Sequence, residues 1–213
     1  MIRALLGGSF DPVHIGHTAM VGHVLAAELA AVVHIVPAWL SPHKQYSAAS
    51  AEHRLQMVRL AFPAATGVVI DSREVDAGRP CFTVDTLAAL RTEHGNDRWR
   101  LLIGGDNLGT LHTWHRAERL QTMAEIVVFG RNACDVGTAA VESAGLDPGL
   151  VNTVAAFDQP VSSTGVRAML ATGTMTQATL ETGGIPAPVA RYILAHRLYR
   201  SERNGSSSVP DSD

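Results

Sequence analysis

The first seventeen residues constrain the fold of this 213-residue chain more than any other stretch. Ile2 to Leu6 is mostly apolar and predicts a short buried strand. A Gly7-Gly8 turn follows, and the stretch from Thr18 to Ala31, rich in Ala, Val and Leu, predicts a helix. A strand, a glycine turn and a helix in this order direct backbone N–H groups and a helix N-terminus at an anion. The chain therefore opens on a predicted anion-binding turn.

His14 and His17 lie three residues apart at the start of that helix, so their imidazoles share one face. Beside a glycine turn, two imidazoles indicate stabilisation of charge on a phosphoryl group, although two histidines can also simply cap a helix start. The glycine spacing matches neither G-x-G-x-x-G nor G-x-x-x-x-G-K-[ST], and the histidines do not form H-E-x-x-H. A nicotinamide dehydrogenase, a P-loop ATPase and a zinc protease are therefore disfavoured.

Strand and helix patterns alternate along the rest of the chain. Further strands are predicted at residues 32–37, 68–70, 100–103, 126–131 and 151–157, and further helices at 51–61, 83–93, 117–123, 163–171 and 185–199. This alternation predicts an α/β fold, with one doubly wound domain and a parallel sheet over residues 1–200. Residues 201–213 are rich in Ser, Gly and charge, which predicts a disordered tail.

Composition excludes several other classes of protein. The net charge of −3 offers no basic field for a nucleic acid. Cys81 and Cys134 form no C-x-x-C, so neither a zinc cluster nor a disulfide framework is indicated. No apolar run approaches the roughly 20 residues of a membrane span, and the N-terminus lacks a signal-peptide layout. We expect a cytoplasmic protein with no membrane or nucleic-acid partner, and leave open whether it forms a homo-oligomer.

Two motifs resemble those of a known superfamily. The stretch Gly7-Gly8-Ser9-Phe10-Asp11-Pro12-Val13-His14-Ile15-Gly16-His17 resembles the nucleotidylyltransferase signature G-x-F-D-x-x-H-x-G-H. Val161-Ser162-Ser163-Thr164-Gly165-Val166-Arg167 resembles the I-S-S-T-x-I-R motif of the same superfamily. The resemblance implies a Rossmann-like nucleotidylyltransferase fold with His14 and His17 as catalytic residues. It also implies an ATP site formed by Gly8, Ser9, Phe10, His14, His17, Ser162, Ser163 and Arg167.

The residues of the second motif also suit this role chemically. Hydroxyl groups and N–H groups at a helix start form an anion site, and Arg167 lies about one turn further on, where a guanidinium can fork onto phosphate. Taken alone, the same residues would suit an ordinary Ser/Thr N-cap followed by a surface arginine.

Shorter segments resemble one branch, the nicotinate mononucleotide adenylyltransferases. They correspond to its P-P-H-K, Y-T-x-D-T-L, G-x-D-x-(L/F) and W patterns, with Ser41 in place of the first Pro and Phe82 in place of Tyr. The resemblance implies substrate-binding roles for Lys44 at a phosphate, Thr83 near a pyridine carboxylate, Asp106 at a ribose or base, and Trp114 in a pyridine pocket. Each residue also has an ordinary structural interpretation, as a solvated lysine, a helix N-cap, a turn aspartate and a packed tryptophan respectively.

The implied reaction is attack by the phosphate of nicotinate mononucleotide on the α-phosphorus of ATP. The products are deamido-NAD and pyrophosphate, in NAD biosynthesis, and Mg²⁺ would be carried with ATP. One alternative is an adenylyltransferase acting on nicotinamide mononucleotide or another phosphorylated acceptor, because phosphopantetheine and cytidylyl transferases share the first motif. A second alternative is an inactive nucleotide-binding relative that kept the fold.

Overall fold

One parallel β-sheet organises the part of the chain that the computed structural model describes. Those residues are 1–42, 45–63, 66–130, 137–154, 157, 161–171 and 176–200. Their strands are β1 (Ile2–Gly8), β2 (Val32–Pro37), β3 (Val68–Ile70), β4 (Arg98–Gly104), β5 (Glu125–Phe129) and β6 (Val151–Val154). All pairings are parallel, in the order β3-β2-β1-β4-β5-β6. The predicted doubly wound α/β fold is confirmed.

Helices connect the strands and cover the sheet. They are α1 (Ile15–Ala26), α2 (Ala51–Ala61), α3 (Arg73–Asp76), α4 (Thr83–His94), α5 (Gly105–Leu108), α6 (Ala117–Met123), α7 (Thr138–Ser143), α8 (Ser163–Ala171), α9 (Gln177–Thr182) and α10 (Ala187–Ala195). Single 3-10 turns occur at Leu111–Thr113 and Pro148–Leu150. Within the described ranges, no helix has the length and apolar character needed to cross a bilayer.

Alternating side chains along the strands divide the core into two layers, one on each face of the sheet. Leu6 on β1 packs in the layer that contains α1, α2, α8, α9 and α10, whereas Leu5 packs in the layer that contains α4, α6 and α7. Both leucines are almost fully buried, and burial of each stabilises the fold by about 2 kcal/mol. Both faces of the parallel sheet are therefore covered, as a sheet of this kind requires.

Two of the predicted helices begin or end elsewhere. The first was expected at 18–31, but α1 begins at Ile15 because His14 has extended backbone angles, φ −143° and ψ 173°. It ends at Ala26, since Glu28 adopts a left-handed φ of 52° and the amide of Ala31 instead donates to the Ile2 carbonyl. The helix expected at 185–199 is α10, which ends at Ala195 because Arg197 and Tyr199 also have positive φ.

Thr83 was expected to cap a helix, but the structure corrects this by one residue. Phe82 occupies the N-cap position with extended backbone angles, and Thr83 is the first residue of α4. The predicted strands at 126–131 and 151–157 correspond to β5 and β6, and the ends of both predictions include residues outside the described ranges.

The strand order reverses between β1 and β4, and this position defines a crevice. The β1–β4 register runs from Ile2–Arg98 to Leu5–Leu101, although the two strands continue to Gly8 and Gly104. On its other side, β1 stays paired with β2 as far as Gly8–Pro37. In open parallel sheets, ligands bind outside the carboxyl ends of the strands at such a switch point.

Candidate active site

Gly7 and Gly8, predicted to form a turn after the first strand, are instead the last two residues of β1, because both pair with β2, and the loop begins at Ser9. One of these glycines has open space around it and the other does not. A Cβ added at Gly7 would meet no atom within 4 Å, whereas one at Gly8 would lie 3.4 Å from the Phe10 ring. Phe10 is 2% exposed and has a left-handed φ of 48°, a conformation that costs free energy for a residue with a side chain. The backbone at Gly7 is thus accessible to a ligand, whereas the buried Phe10 ring packs against Gly8.

His14 and His17 are brought together beside this loop. Their ring centroids are 3.9 Å apart, and the Phe10 ring lies 4.9 Å from that of His17. The His14 backbone N–H donates to Nδ1 of His17 at 3.2 Å, so in the neutral ring the proton is on Nε2. Burial, and next the neighbouring His14, lower the pKa of His17 well below its usual value. His17 is therefore a neutral imidazole at physiological pH. Its Nδ1 accepts from the His14 amide, and its Nε2–H is the donor.

The first amide of α1 is already engaged. The backbone N–H of Ile15 donates to the carbonyl of Gly184 at 2.8 Å. Gly184 has φ +85°, and a Cβ there would lie 3.2 Å from Ile15 and closer still to Val161, so the contact requires glycine. The Gly184 carbonyl thereby accepts from one of the backbone N–H groups that the sequence predicted to face an anion, so this donor is already used.

The start of α8 packs directly against the loop of the first motif. Ser163 Oγ donates to the Pro12 carbonyl at 2.9 Å, and Arg167 Nη1 donates to the Asp11 carbonyl at 2.7 Å. The Ser162 hydroxyl accepts from the Gly165 amide at 3.1 Å, which is an N-cap contact. The two motifs, far apart in sequence, are therefore neighbours in the structure. Ser162 is also an N-cap of α8, which is the ordinary structural role considered for it above.

The segments predicted to hold the acceptor meet on the other side of the crevice. Phe82, which caps α4 just before Thr83, stacks on His115 with ring centroids 4.3 Å apart. This contact places the start of α4 beside the half-buried Trp114, which packs at the edge of the second core layer.

Asp106 and Lys44 complete the set of predicted acceptor residues. Asp106 is exposed on α5, directly after β4, and its Oδ1 occupies the space that a Cβ on Gly104 would need. It accepts a hydrogen bond from Asn107 Nδ2 at 3.3 Å. Lys44 lies outside the described residues.

Four residues around the site were missed by sequence reasoning. They are Asp11, Arg54, His115 and Tyr199. The Asp11 carboxylate, 3% exposed, accepts from the Ala48 and Ala49 amides at 2.8 and 3.1 Å and from the Tyr199 hydroxyl at 2.8 Å. The only indication in the sequence was that Asp11 belongs to the first motif, and this does not reveal which groups its carboxylate contacts. Within the described ranges, no three or more His, Cys, Asp or Glu side chains are grouped so as to hold a metal ion.

A strand that ends in two glycines, followed by paired imidazoles at the switch point of a parallel sheet, defines a nucleotide-binding α/β domain. Residues 5–169 match the profile of the cytidylyltransferase-like family. A Gemmatimonas aurantiaca protein is 35% identical over 214 residues, covering 100% of this chain and 99% of its own. A Laribacter hongkongensis protein is 38% identical, covering 93% and 94%. Both are named "Probable nicotinate-nucleotide adenylyltransferase". The chain belongs to the cytidylyltransferase-like family and, within it, to the nicotinate-nucleotide adenylyltransferases.

A solved structure shares the fold. It is the Plasmodium falciparum nicotinic acid mononucleotide adenylyltransferase complexed with NaAD, with a TM-score of 0.75 and 17% identity. The match covers 93% of this chain and 97% of that one, so the whole sheet and its flanking helices follow one architecture.

Proposed function

We propose that this chain transfers the adenylyl group of ATP to nicotinate mononucleotide, giving deamido-NAD and pyrophosphate in NAD biosynthesis. The observation that carries the proposal is the pairing of His14 and His17 beside Phe10 in the loop after β1, with Arg167 bonded to the same loop. Similarity over the full chain to relatives with this name supports the choice of substrates.

In this proposal, catalysis consists of alignment and stabilisation of charge. The attacking phosphate is already ionised at neutral pH, so no covalent enzyme intermediate and no strong general base are required. His17, neutral and with its proton on Nε2, would donate to a phosphoryl oxygen whose charge grows in the transition state. His14, whose ring lies against that of His17, would bind the same group.

Residues at the start of α8 would hold the β and γ phosphates. Arg167 is anchored by its bonds to the Asp11 carbonyl and to Thr164 Oγ1, the latter at 3.2 Å. A guanidinium carries five N–H donors, so two such bonds fix its plane without exhausting its capacity for phosphate. Ser162 and Ser163 would complete this part of the site, with Gly8, Ser9 and Phe10 on the opposite side.

Mg²⁺ would arrive with ATP, held by phosphate oxygens and water as this ion usually is. Bound there, the ion would neutralise charge on the pyrophosphate leaving group.

The acceptor would lie between α4 and the Trp114 segment. The amides at the start of α4 and its helix dipole favour a carboxylate on the pyridine ring. Thr83, Asp106, Trp114 and Lys44 are the residues we propose for this side of the site.

Product formation tests the proposal directly. Purified protein is incubated with ATP and Mg²⁺ and with either nicotinate or nicotinamide mononucleotide, and dinucleotide and pyrophosphate are quantified by chromatography and a coupled assay. We expect a strong preference for the nicotinate form. Equal use of both acceptors would contradict the carboxylate role of the α4 N-terminus, and turnover of neither would favour another acceptor or an inactive relative.

A further inference from the structure

Arg54 is a charged side chain enclosed in the core of the molecule. It lies on α2 and is 0% exposed. Its guanidinium donates to four backbone carbonyls: Nε to Ala49 at 3.2 Å, Nη1 to Ser9 at 2.7 Å and to Ala38 at 2.6 Å, and Nη2 to Trp39 at 2.5 Å. The ion pairs found among the described residues do not include it. Arg54 is thus a buried cation bonded to main-chain oxygens.

Packing alone gives no reason for an arginine here. Removing a charge from water is unfavourable, and an apolar side chain of similar volume is often neutral or stabilising at such a position. A guanidinium offers something that no apolar side chain offers, a rigid planar fork of donors that fixes several acceptors at once. The arrangement of those acceptors therefore indicates what the residue does.

Three of the four carbonyls belong to segments on both sides of the predicted reaction, and the fourth, that of Ala49, lies just before α2. Ser9 lies in the turn after β1 that we assign to ATP. Ala38 and Trp39 directly follow β2 and begin the acceptor loop, named for Lys44, the proposed acceptor residue that comes five positions after Trp39 in the sequence. The Ala38 amide also donates to the Gly8 carbonyl at 2.9 Å, so Arg54 reinforces a junction where two strand ends already touch.

We propose that Arg54 is a positioning residue that sets the placement of the ATP turn relative to the acceptor loop. This inference rests on the proposed function for the identity of the two loops. Displacing reacting groups by about 1 Å can lower a rate on the order of 10²-fold. Loss of Arg54 should therefore lower kcat more than it raises either KM.

Arg54→Lys and Arg54→Met test the geometry. Lysine keeps the charge on a single nitrogen that cannot span both strand ends, whereas methionine fills the space without charge. We expect both variants to fold, kcat to fall about 10- to 100-fold, and the KM values for ATP and for nicotinate mononucleotide to change less than about threefold. Arg59→Met, an exposed position on the same helix, is the matched control and should keep the parent kcat.

Hydrogen exchange supplies a readout that does not depend on turnover. In Arg54→Met, amides of both segments, residues 8–10 and 38–41, should exchange faster than in the parent, with the rest of α2 unchanged. If Arg54→Met does not fold, Arg54→Lys carries the test alone.

Three outcomes would overturn the inference. They are a parent-like kcat in folded Arg54→Lys or Arg54→Met, a raised KM with kcat unchanged, and exchange that rises throughout the fold. Failure of the parent protein to turn over either acceptor would instead count against the proposed function, while the exchange comparison would still decide the positioning role.

Discussion

At the scale of single residues, a neutral histidine should carry the main catalytic interaction. His17 is held by the His14 amide with its proton on Nε2, and burial keeps it uncharged. His17→Ala should lower kcat on the order of 10²-fold or more, because one key donor to the transition state is lost. His17→Gln, which keeps a neutral N–H at a similar reach, should lose less. Steady-state kinetics with ATP varied would distinguish these effects, and an unchanged kcat with a raised KM for ATP in His17→Ala would refute the assignment.

The same residue predicts the shape of the pH profile. Because the pKa of free His17 lies well below 6.5, protonation of this ring should not reduce kcat/KM between pH 6 and 8. An acid limb in that window that disappears in His17→Gln would show that His17 acts as a titrating group instead.

A second histidine should make stability depend on pH. His34 on β2 is 3% exposed, and burial, then His94 and Arg3, lower its pKa to about 4. The unfolded chain, with an ordinary pKa of about 6.5, binds the proton more readily, so stability falls as pH drops from about 6.5 towards 4. Between pH 7 and 5 this group should remove about 2 kcal/mol from the free energy of unfolding.

His34→Leu isolates that contribution. Urea unfolding at pH 7 and at pH 5 should give a smaller difference for the variant than for the parent, whereas kcat/KM at pH 7.5 should be unchanged. Equal differences in the two proteins would contradict the effect of burial on His34.

At the scale of elements, the loop of the first motif is held by parts of the chain that follow it by more than 150 residues. Tyr199, just after α10, donates to Asp11 at 2.8 Å, and burial together with this carboxylate raises the pKa of its hydroxyl. Tyr199→Phe should therefore destabilise the fold by about 1.5 to 3 kcal/mol, the range for a hydrogen bond to a charged group. Urea denaturation would measure this, with Tyr46→Phe at an exposed position as the matched control. If the free energy of unfolding changes by the same amount in Tyr199→Phe and in the control, the hydrogen bond from Tyr199 to Asp11 contributes no net stability.

Hydrophobic patterning was sufficient to predict the strands but not the contacts between elements. The six strand segments were found because short β-branched runs stand out in a sequence and a parallel sheet buries them on both faces. The boundaries of α1 and α10 were missed because left-handed residues such as Glu28 and Arg197 end helices without a glycine signal. In the sequence, Arg54 resembles a residue on the polar side of an amphipathic helix, since nothing local reveals that three carbonyls from distant segments surround it. Its importance emerges only from tertiary packing.

At the scale of the whole molecule, the crevice separates two halves of one sheet. The turn proposed to bind ATP follows β1, and the proposed acceptor residues Asp106 and Trp114 follow β4. A bound nucleotide would therefore contact both halves, and stabilisation by binding should act on the complete fold.

Equilibrium unfolding with a non-hydrolysable ATP analogue tests this prediction. At a ligand concentration about 100 times its Kd, the free energy of unfolding should rise by about 2.7 kcal/mol through mass action. The protein should unfold in one transition, monitored in parallel by circular dichroism and tryptophan fluorescence. Arg167→Ala should need a higher ligand concentration for the same shift. Two transitions, of which only one responds to ligand, would mean that the halves unfold separately.

The bond between Tyr199 and Asp11 also has a consequence for protein synthesis. The two residues are 188 positions apart, and at typical ribosomal rates of about 5 to 20 residues per second the second is made roughly 10 to 40 s after the first. Ser163 and Arg167, which contact the same loop, and Gly184, which contacts the start of α1, are also made late. The loop around Asp11 therefore lacks the full set of these contacts until at least 188 further residues have been made, so it is completed long after it is synthesised.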